Sequence, residues 1–182
     1  TVWNACARGN LVACRWLLKF GVWSDVNQAL NVDGARGDAC AVGPGPMYVA
    51  ASYGHLDVVR FLALEAQANV NQAKTDTGAT PIYIAASYGH LDIVRFLALE
   101  AQADVNQAST DDGTTALMVA ASCDELKVVQ FLVQAGADVN QTDNDGKTAL
   151  YSASNKNQVE LCGRLLIAGA IAQPRDFQGY RQ

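Results

Sequence analysis

The segment YIAASYGHLDIVRFLALEAQADVNQA, residues 83–108, decides the fold, because the chain has already carried it once as YVAASYGHLDVVRFLALEAQANVNQA at 48–73. The two copies lie 35 residues apart and differ only at Val49/Ile84, Val58/Ile93 and Asn69/Asp104. Weaker copies surround them. PIYIAAS at 81–87 returns as ALMVAAS at 116–122 and ALYSASN at 149–155, while ADVNQ at 103–107 returns at 137–141. DVNQ also closes a first unit at 25–28. The chain therefore reads as one repeat domain over 1–170, with units at about 1–28, 42–73, 74–108, 109–141 and 142–170 and a tail at 171–182.

One unit can be read physically. In the third, Thr80 suits an N-cap and Pro81 suits the first helical position, where its missing N–H costs nothing. A short helix is expected from Pro81 to about Tyr88, with small Ala85 and Ala86 letting another helix approach. Gly89 stops it and His90 opens a second helix, with Asp92 in the first turn, where the helix dipole favours an anion. Leu91, Ile93, Val94, Phe96, Leu97 and Leu99 make that helix apolar over most of its surface. Two such short helices cannot bury these faces alone, but identical pairs stacked on both sides can. The repetition is thus the architecture: an all-α repeat solenoid in which each copy is the next copy's core.

DTGATPIYIAASYGHLDIVRFLALEAQADVN closely resembles the ankyrin repeat, whose pattern is a Gly-bearing turn, TPLHxAA, a GH turn, a second apolar helix and GADVN. The resemblance spans about residues 2–170. It implies an ankyrin-repeat stack of helix pairs with β-hairpin fingers along one edge. Four departures stand out. The His of TPLH, which in the family ties neighbouring repeats together, is replaced by Trp3, Tyr48, Tyr83, Met118 and Tyr151. LALEAQADVN is one residue longer than LVQAGADVN at 132–140 and lacks its Gly, so an irregular end to the second helix is expected in units two and three. Units four and five lose the GH turn, having Asp124-Glu125 and Asn157-Gln158. The Gly- and Pro-rich stretch at about 29–46 reads as an insertion remodelling the first finger.

The composition excludes several functions. The net charge is −5 and no run of Lys and Arg occurs, so nucleic acid is not the expected partner. No stretch approaches the roughly 20 apolar residues of a membrane helix. The cysteines, Cys6, Cys14, Cys40, Cys123 and Cys162, are odd in number and form no CxxC pair. Reduced thiols in an intracellular compartment are expected, the cytoplasm first. An organelle is the alternative, since a chain starting at Thr1 fits a fragment or a processed product. By position Cys6, Cys14 and Cys162 belong to the core, Cys123 faces outward and Cys40 sits in the insertion.

No catalytic constellation can be assembled. The two histidines, His55 and His90, occupy the same turn in two repeats. Asp111-Asp112 and Asp143-Asp145 suggest a cation loop, but Ser154 stands where an EF-hand needs its twelfth-position Glu. The RGD at 36–38 is too short to carry an adhesion reading. No enzyme activity, metal or cofactor is expected.

Function is then expected on what projects. The resemblance assigns partner binding to a concave groove formed by the ends of the first helices: Ala7 and Arg8, Ser52 and Tyr53, Ser87 and Tyr88, Ser122 and Cys123, Asn155 and Lys156. It adds the fingers, with Asp76, Thr77 and Ala79, then Asp111, Asp112 and Thr114, then Asn144, Asp145 and Lys147. The expected function is a scaffold or adaptor that binds another protein. The alternative is a permanent subunit of a larger assembly, docked through the N-terminal end and the 28–46 loop, because LVACRWLLKFGVW at 11–23 has only Arg15 and Lys19 as charges. Asn27, Asn71, Asn106 and Asn140 also resemble family positions that asparaginyl hydroxylases modify.

Overall fold

A computed structural model describes residues 1–23, 25–27, 44–173 and Asp176. Five helix pairs follow one another: α1 (Val2–Ala7) and α2 (Leu11–Lys19), α3 (Pro46–Ser52) and α4 (Leu56–Arg60), α5 (Pro81–Ser87) and α6 (Leu91–Leu99), α7 (Ala116–Ser122) and α8 (Leu126–Gln134), and α9 (Ala149–Asn155) and α10 (Val159–Ile167). Most of the 28–46 insertion, with Cys40 and the RGD, lies outside the described residues, as does most of the tail.

The first helices start as their sequences require. The hydroxyls of Thr80, Thr115 and Thr148 accept from the amides of Tyr83, Met118 and Tyr151, satisfying donors that have no partner within the helix. The helices α1, α3, α5, α7 and α9 pack side by side in chain order, and α2, α4, α6 and α8 form a second row behind them. Small residues permit the close approach: Ala50, Ala51, Ala85, Ala86, Ala120 and Ala121 are fully buried. Leu62, Leu97, Leu132, Leu161 and Leu165, from the second helices of units two to five, complete one continuous core. Each buried Leu is worth about 1.5–3 kcal/mol relative to exposure, which a lone helix pair could not obtain. Leu99 departs from the sequence expectation and stands 63% exposed, as does its copy Leu64 at 55%.

The turn inside each pair is kept in all five units. Gly54 and Gly89 have φ of +77° and +70°, and a Cβ on Gly54 would lie 2.8 Å from the His90 ring. Units four and five, expected to lose this turn, retain it with Asp124 (φ +64°) and Asn157 (φ +58°). Asp and Asn visit this left-handed region more readily than other side chains.

The extra residue in units two and three has the predicted effect. In unit two the second helix ends in a π turn, Phe61–Glu65, closed by the amide of Ala66 on the carbonyl of Phe61 at 3.0 Å. In unit three the amide of Ala101 bonds the carbonyl of Phe96 at 3.0 Å, five residues back. One added residue is absorbed by one wider turn. Gln67 (φ +54°) and Gln102 (φ +55°) are then left in the conformation that Gly136 and Gly169 adopt in units four and five.

The expected β-hairpin fingers are not present as strands: no strand occurs among the described residues. Turns stand in their place. One is closed by the Lys74 amide on the Ala79 carbonyl at 2.9 Å, the next by Ser109 on Thr114 at 2.9 Å, the third by Asp143 on Lys147 at 2.9 Å. So few backbone pairs cannot make a ladder. Adjacent turns are linked, Thr110 N–H to the Thr77 carbonyl at 3.0 Å and Asn144 N–H to the Asp112 carbonyl at 2.9 Å.

A second set of ties runs along the outer edge. The side-chain carbonyl of Asn27 accepts from the Asn69 amide at 2.7 Å, Asn71 from Asp104 at 3.0 Å, Asn106 from Asp138 at 2.8 Å, and Asn140 from Ile171 at 2.7 Å. The recurring Val-Asn is thus a chain of junctions between repeats. On the second row, Arg15, Arg60 and Arg95 lie over the rings of Phe61, Phe96 and Phe131 of the next repeat. Arg15 and Arg60 also pair with Glu65 and Glu100.

Cys6 and Cys14 are buried as expected. Cys162 is only partly so, unlike Val59, Val94 and Val129 at the same position in the three units before it. Within the tail, Asp176 is buried and its carbonyl accepts from the Ser154 hydroxyl, so this part lies against unit five.

Candidate partner-binding groove

Arg8, Tyr53, Tyr88, Cys123 and Lys156 occupy one structural position, the C-cap of the first helix in successive units. Since the first helices pack in order, these residues form a row across the stack. All five are exposed, Tyr53 to 54% and Tyr88 to 60%. Ser122 beside them is exposed, while Ser52 and Ser87 are half-buried. The Ser52 hydroxyl donates to the Val49 carbonyl at 2.9 Å, and the Ser87 hydroxyl lies 3.9 Å from the Cys123 sulfur.

The two tyrosines are braced from beneath. Tyr53 meets Trp3 edge to face, with ring centroids 6.3 Å apart and planes at 87°, and stacks on His55 at 6.4 Å. Tyr88 lies 6.2 Å from His90. The histidines are themselves held. His55 Nε2–H donates to the Ala7 carbonyl at 2.9 Å and His90 Nε2–H to the Ser52 carbonyl at 3.2 Å. A carbonyl can only accept, which fixes the proton on Nε2.

The turn residues are partly spent on their own structure. Asp76 pairs with Lys74 at 2.8 Å, and that bond holds its carboxyl below the ordinary range. Asp145 pairs with Lys147 at 2.7 Å, raising the Lys147 ammonium. Burial pushes Asp112 up, but bonds from the Ser109 hydroxyl and the Thr114 amide outweigh it and bring its carboxyl below the usual range. Asn144 reaches the Asp111 carbonyl at 3.2 Å. Asp143 accepts from the amides of Asp145 and Lys147, so DNDGKT is a self-capped turn. No cluster with the makings of a metal site occurs among the described residues. Asp76, Asp111 and Asp112 remain exposed, Thr77 and Thr114 half so, and Ala79 is buried, contrary to expectation.

Between the row and the turns lies a floor that sequence reasoning missed. Trp3, Tyr48, Tyr83 and Tyr151 are all half-buried there. In sequence they stand out only as replacements for the family's TPLH histidine. Burial, then the charges of Asp112 and Asp111, push the Tyr83 phenol up to about 12. Tyr48 is raised by burial and by its proximity to Tyr88 and Asp76. Lys147 lies over the Tyr151 ring at 5.7 Å. The aromatic surface therefore runs from the row to the turns, and its middle lies in a negative field.

The N-terminal end is a second apolar surface. Val12, Trp16, Phe20 and Val22 are between 54% and 78% exposed. Trp16 occupies the position that Phe61, Phe96 and Phe131 hold, buried, in the next three units. A hollow of about 550 Å³ beside it is bordered by Thr1, Asn4, Arg8, Trp16 and Leu17. No helix among the described residues is long and apolar enough to cross a membrane.

Comparison with curated proteins gives no significant match. The family model for ankyrin repeats, which spans three copies, matches at residues 2–109, 47–143 and 99–176. Proteins with these repeats are generally non-catalytic modules for protein–protein interaction. Three overlapping matches across nearly the whole chain agree with the stacked helix pairs and their shared turns: the chain belongs to the ankyrin-repeat family.

Proposed function

We propose that this chain is a non-catalytic adaptor that holds an extended segment of a partner protein along the row and its aromatic floor. The observation that carries the reading is the pair Tyr53 and Tyr88, exposed one repeat apart and braced by His55 and His90. Tyrosine is a frequent interface anchor because it offers large area and a polar tip with little entropy to lose. A braced ring has lost part of that entropy before the partner arrives. The partner is expected to place apolar or aromatic side chains on Tyr53 and Tyr88 and a basic residue toward Asp111 and Asp112. The test is selection of binders from a displayed random-peptide library on the wild-type chain, followed by binding to a Tyr53→Ala/Tyr88→Ala variant that circular dichroism shows to be folded. Binders with at least a tenfold loss on the variant support the groove. Binders that hold both proteins equally overturn it.

The second reading is a permanent subunit docked through the N-terminal end and the 28–46 loop. It rests on the exposed Val12, Trp16, Phe20 and Val22. Binders that survive the tyrosine variant and are lost on Trp16→Glu/Phe20→Glu would favour it.

A further inference from the structure

We propose that Cys6 and Cys14 are a redox-active dithiol, which a hydroperoxide converts to an intramolecular disulfide stapling α1 to α2. Their sulfurs lie 3.8 Å apart, one on each helix of the first pair. Both residues are fully buried, so they are held facing each other. A disulfide needs about 2.05 Å between sulfurs, so oxidation requires side-chain rotation and a small approach of the two short helices.

The repeat pattern shows that packing does not require the thiols. The same two positions hold Ala51 and Val59 in unit two, Ala86 and Val94 in unit three, and Ala121 and Val129 in unit four. All six are fully or almost fully buried. Unit five has Ser154 and Cys162. Only the first unit carries cysteine at both facing positions. Aliphatic side chains fill this space in units two to four, so the pair adds chemistry rather than volume.

Either sulfur can donate in the bond between them, so either thiol can attack first and the other resolve. The thiolate of one attacks the peroxide: an S–O bond forms, the O–O bond breaks, and an alcohol or water leaves. The other thiol then attacks the sulfenic acid: the S–S bond forms, the S–O bond breaks, and water leaves with the second thiol's proton. Two thiols are oxidised by two electrons and one hydroperoxide is reduced. Access comes from local opening of α1 against α2. The reaction is accordingly slower than oxidation of the exposed Cys123.

The chain provides a direct assay. Trypsin cuts after Arg8 and Arg15, so Cys6 falls in Thr1–Arg8 and Cys14 in Gly9–Arg15. The reduced, folded protein is treated with hydrogen peroxide, remaining thiols are alkylated, and the digest is analysed by mass spectrometry without reduction. The expected result is the two peptides joined, lighter by two hydrogens than their sum. The link must vanish on reduction and be missing in Cys6→Ala/Cys14→Val. That variant carries the residues of units two to four, and circular dichroism must show that it is folded. Unlinked peptides, pairing with Cys40, Cys123 or Cys162, or a link that forms only in denaturant would each overturn the proposal.

Discussion

His90 donates from Nε2 to the carbonyl of Ser52 across 3.2 Å, tying the second helix of one repeat to the end of the first helix in the repeat before it. His55 does the same for Ala7. The His of the GH turn thus joins neighbouring repeats here, the role the family assigns to the TPLH His that this chain lacks. Replacing His90 by Ala removes the bond, leaves a half-buried carbonyl unpaired and takes away the support under Tyr88. The expected loss is about 1–2 kcal/mol, read as a lower urea midpoint at unchanged slope.

Gln67 and Gln102 hold left-handed backbone that other side chains avoid. A non-glycine residue there costs about 1–2 kcal/mol, and glycine gives part of that back through the greater entropy of its unfolded chain. Gln67→Gly and Gln102→Gly should each raise stability by about 0.5–1 kcal/mol, seen as higher melting temperatures. No change at either position would mean that the wide turns at the ends of these helices already relieve the strain.

The Tyr83 phenol is raised from an ordinary 10.0 to about 12. The folded state holds the proton more tightly, so this contribution is full below pH 10 and is lost as pH rises toward about 12. Stability should fall across that window, by up to about 3 kcal/mol from this group. Tyr83→Phe should flatten the decline, and a spectrophotometric titration of the phenolate should place one tyrosine well above the rest.

Arg60 lies 4.9 Å from the Phe96 ring and 2.9 Å from Glu100, but both charged groups are about half exposed. Arg60→Ala should therefore cost under about 1 kcal/mol, and the loss should shrink in high salt. A cost of several kcal/mol would show that the junction between repeats depends on this arginine.

Local chemistry was legible where the deciding residues lie close in sequence. Thr80, Pro81, Gly89 and His90 bound their helices because caps and turns act over a few residues. The irregular helix ends followed from one extra residue in LALEAQA. Asp124 and Asn157 misled because a turn read through its Gly-His signature looks lost when another residue adopts the same φ. Cys162 misled because burial depends on what packs against its helix, which the repeat position alone does not reveal. The role of Asn71 was hidden for a related reason: its partner is the Asp104 amide in the next unit. For the groove, the C-cap row followed from repeat position. The floor did not, because the raised phenol of Tyr83 comes from burial and from Asp111 and Asp112 in the following turn.

Near-identity of units two and three makes their junctions interchangeable. Gly54 faces His90 as Gly89 faces Glu125, Arg60 covers Phe96 as Arg95 covers Phe131, and Asn71 serves Asp104 as Asn106 serves Asp138. Excision of residues 74–108 would therefore bring unit two against unit four with every one of these contacts remade. The array can shorten by one whole module, or lengthen by one, without inventing a surface. Such a change would alter how many tyrosines the row displays while leaving each seam as it was.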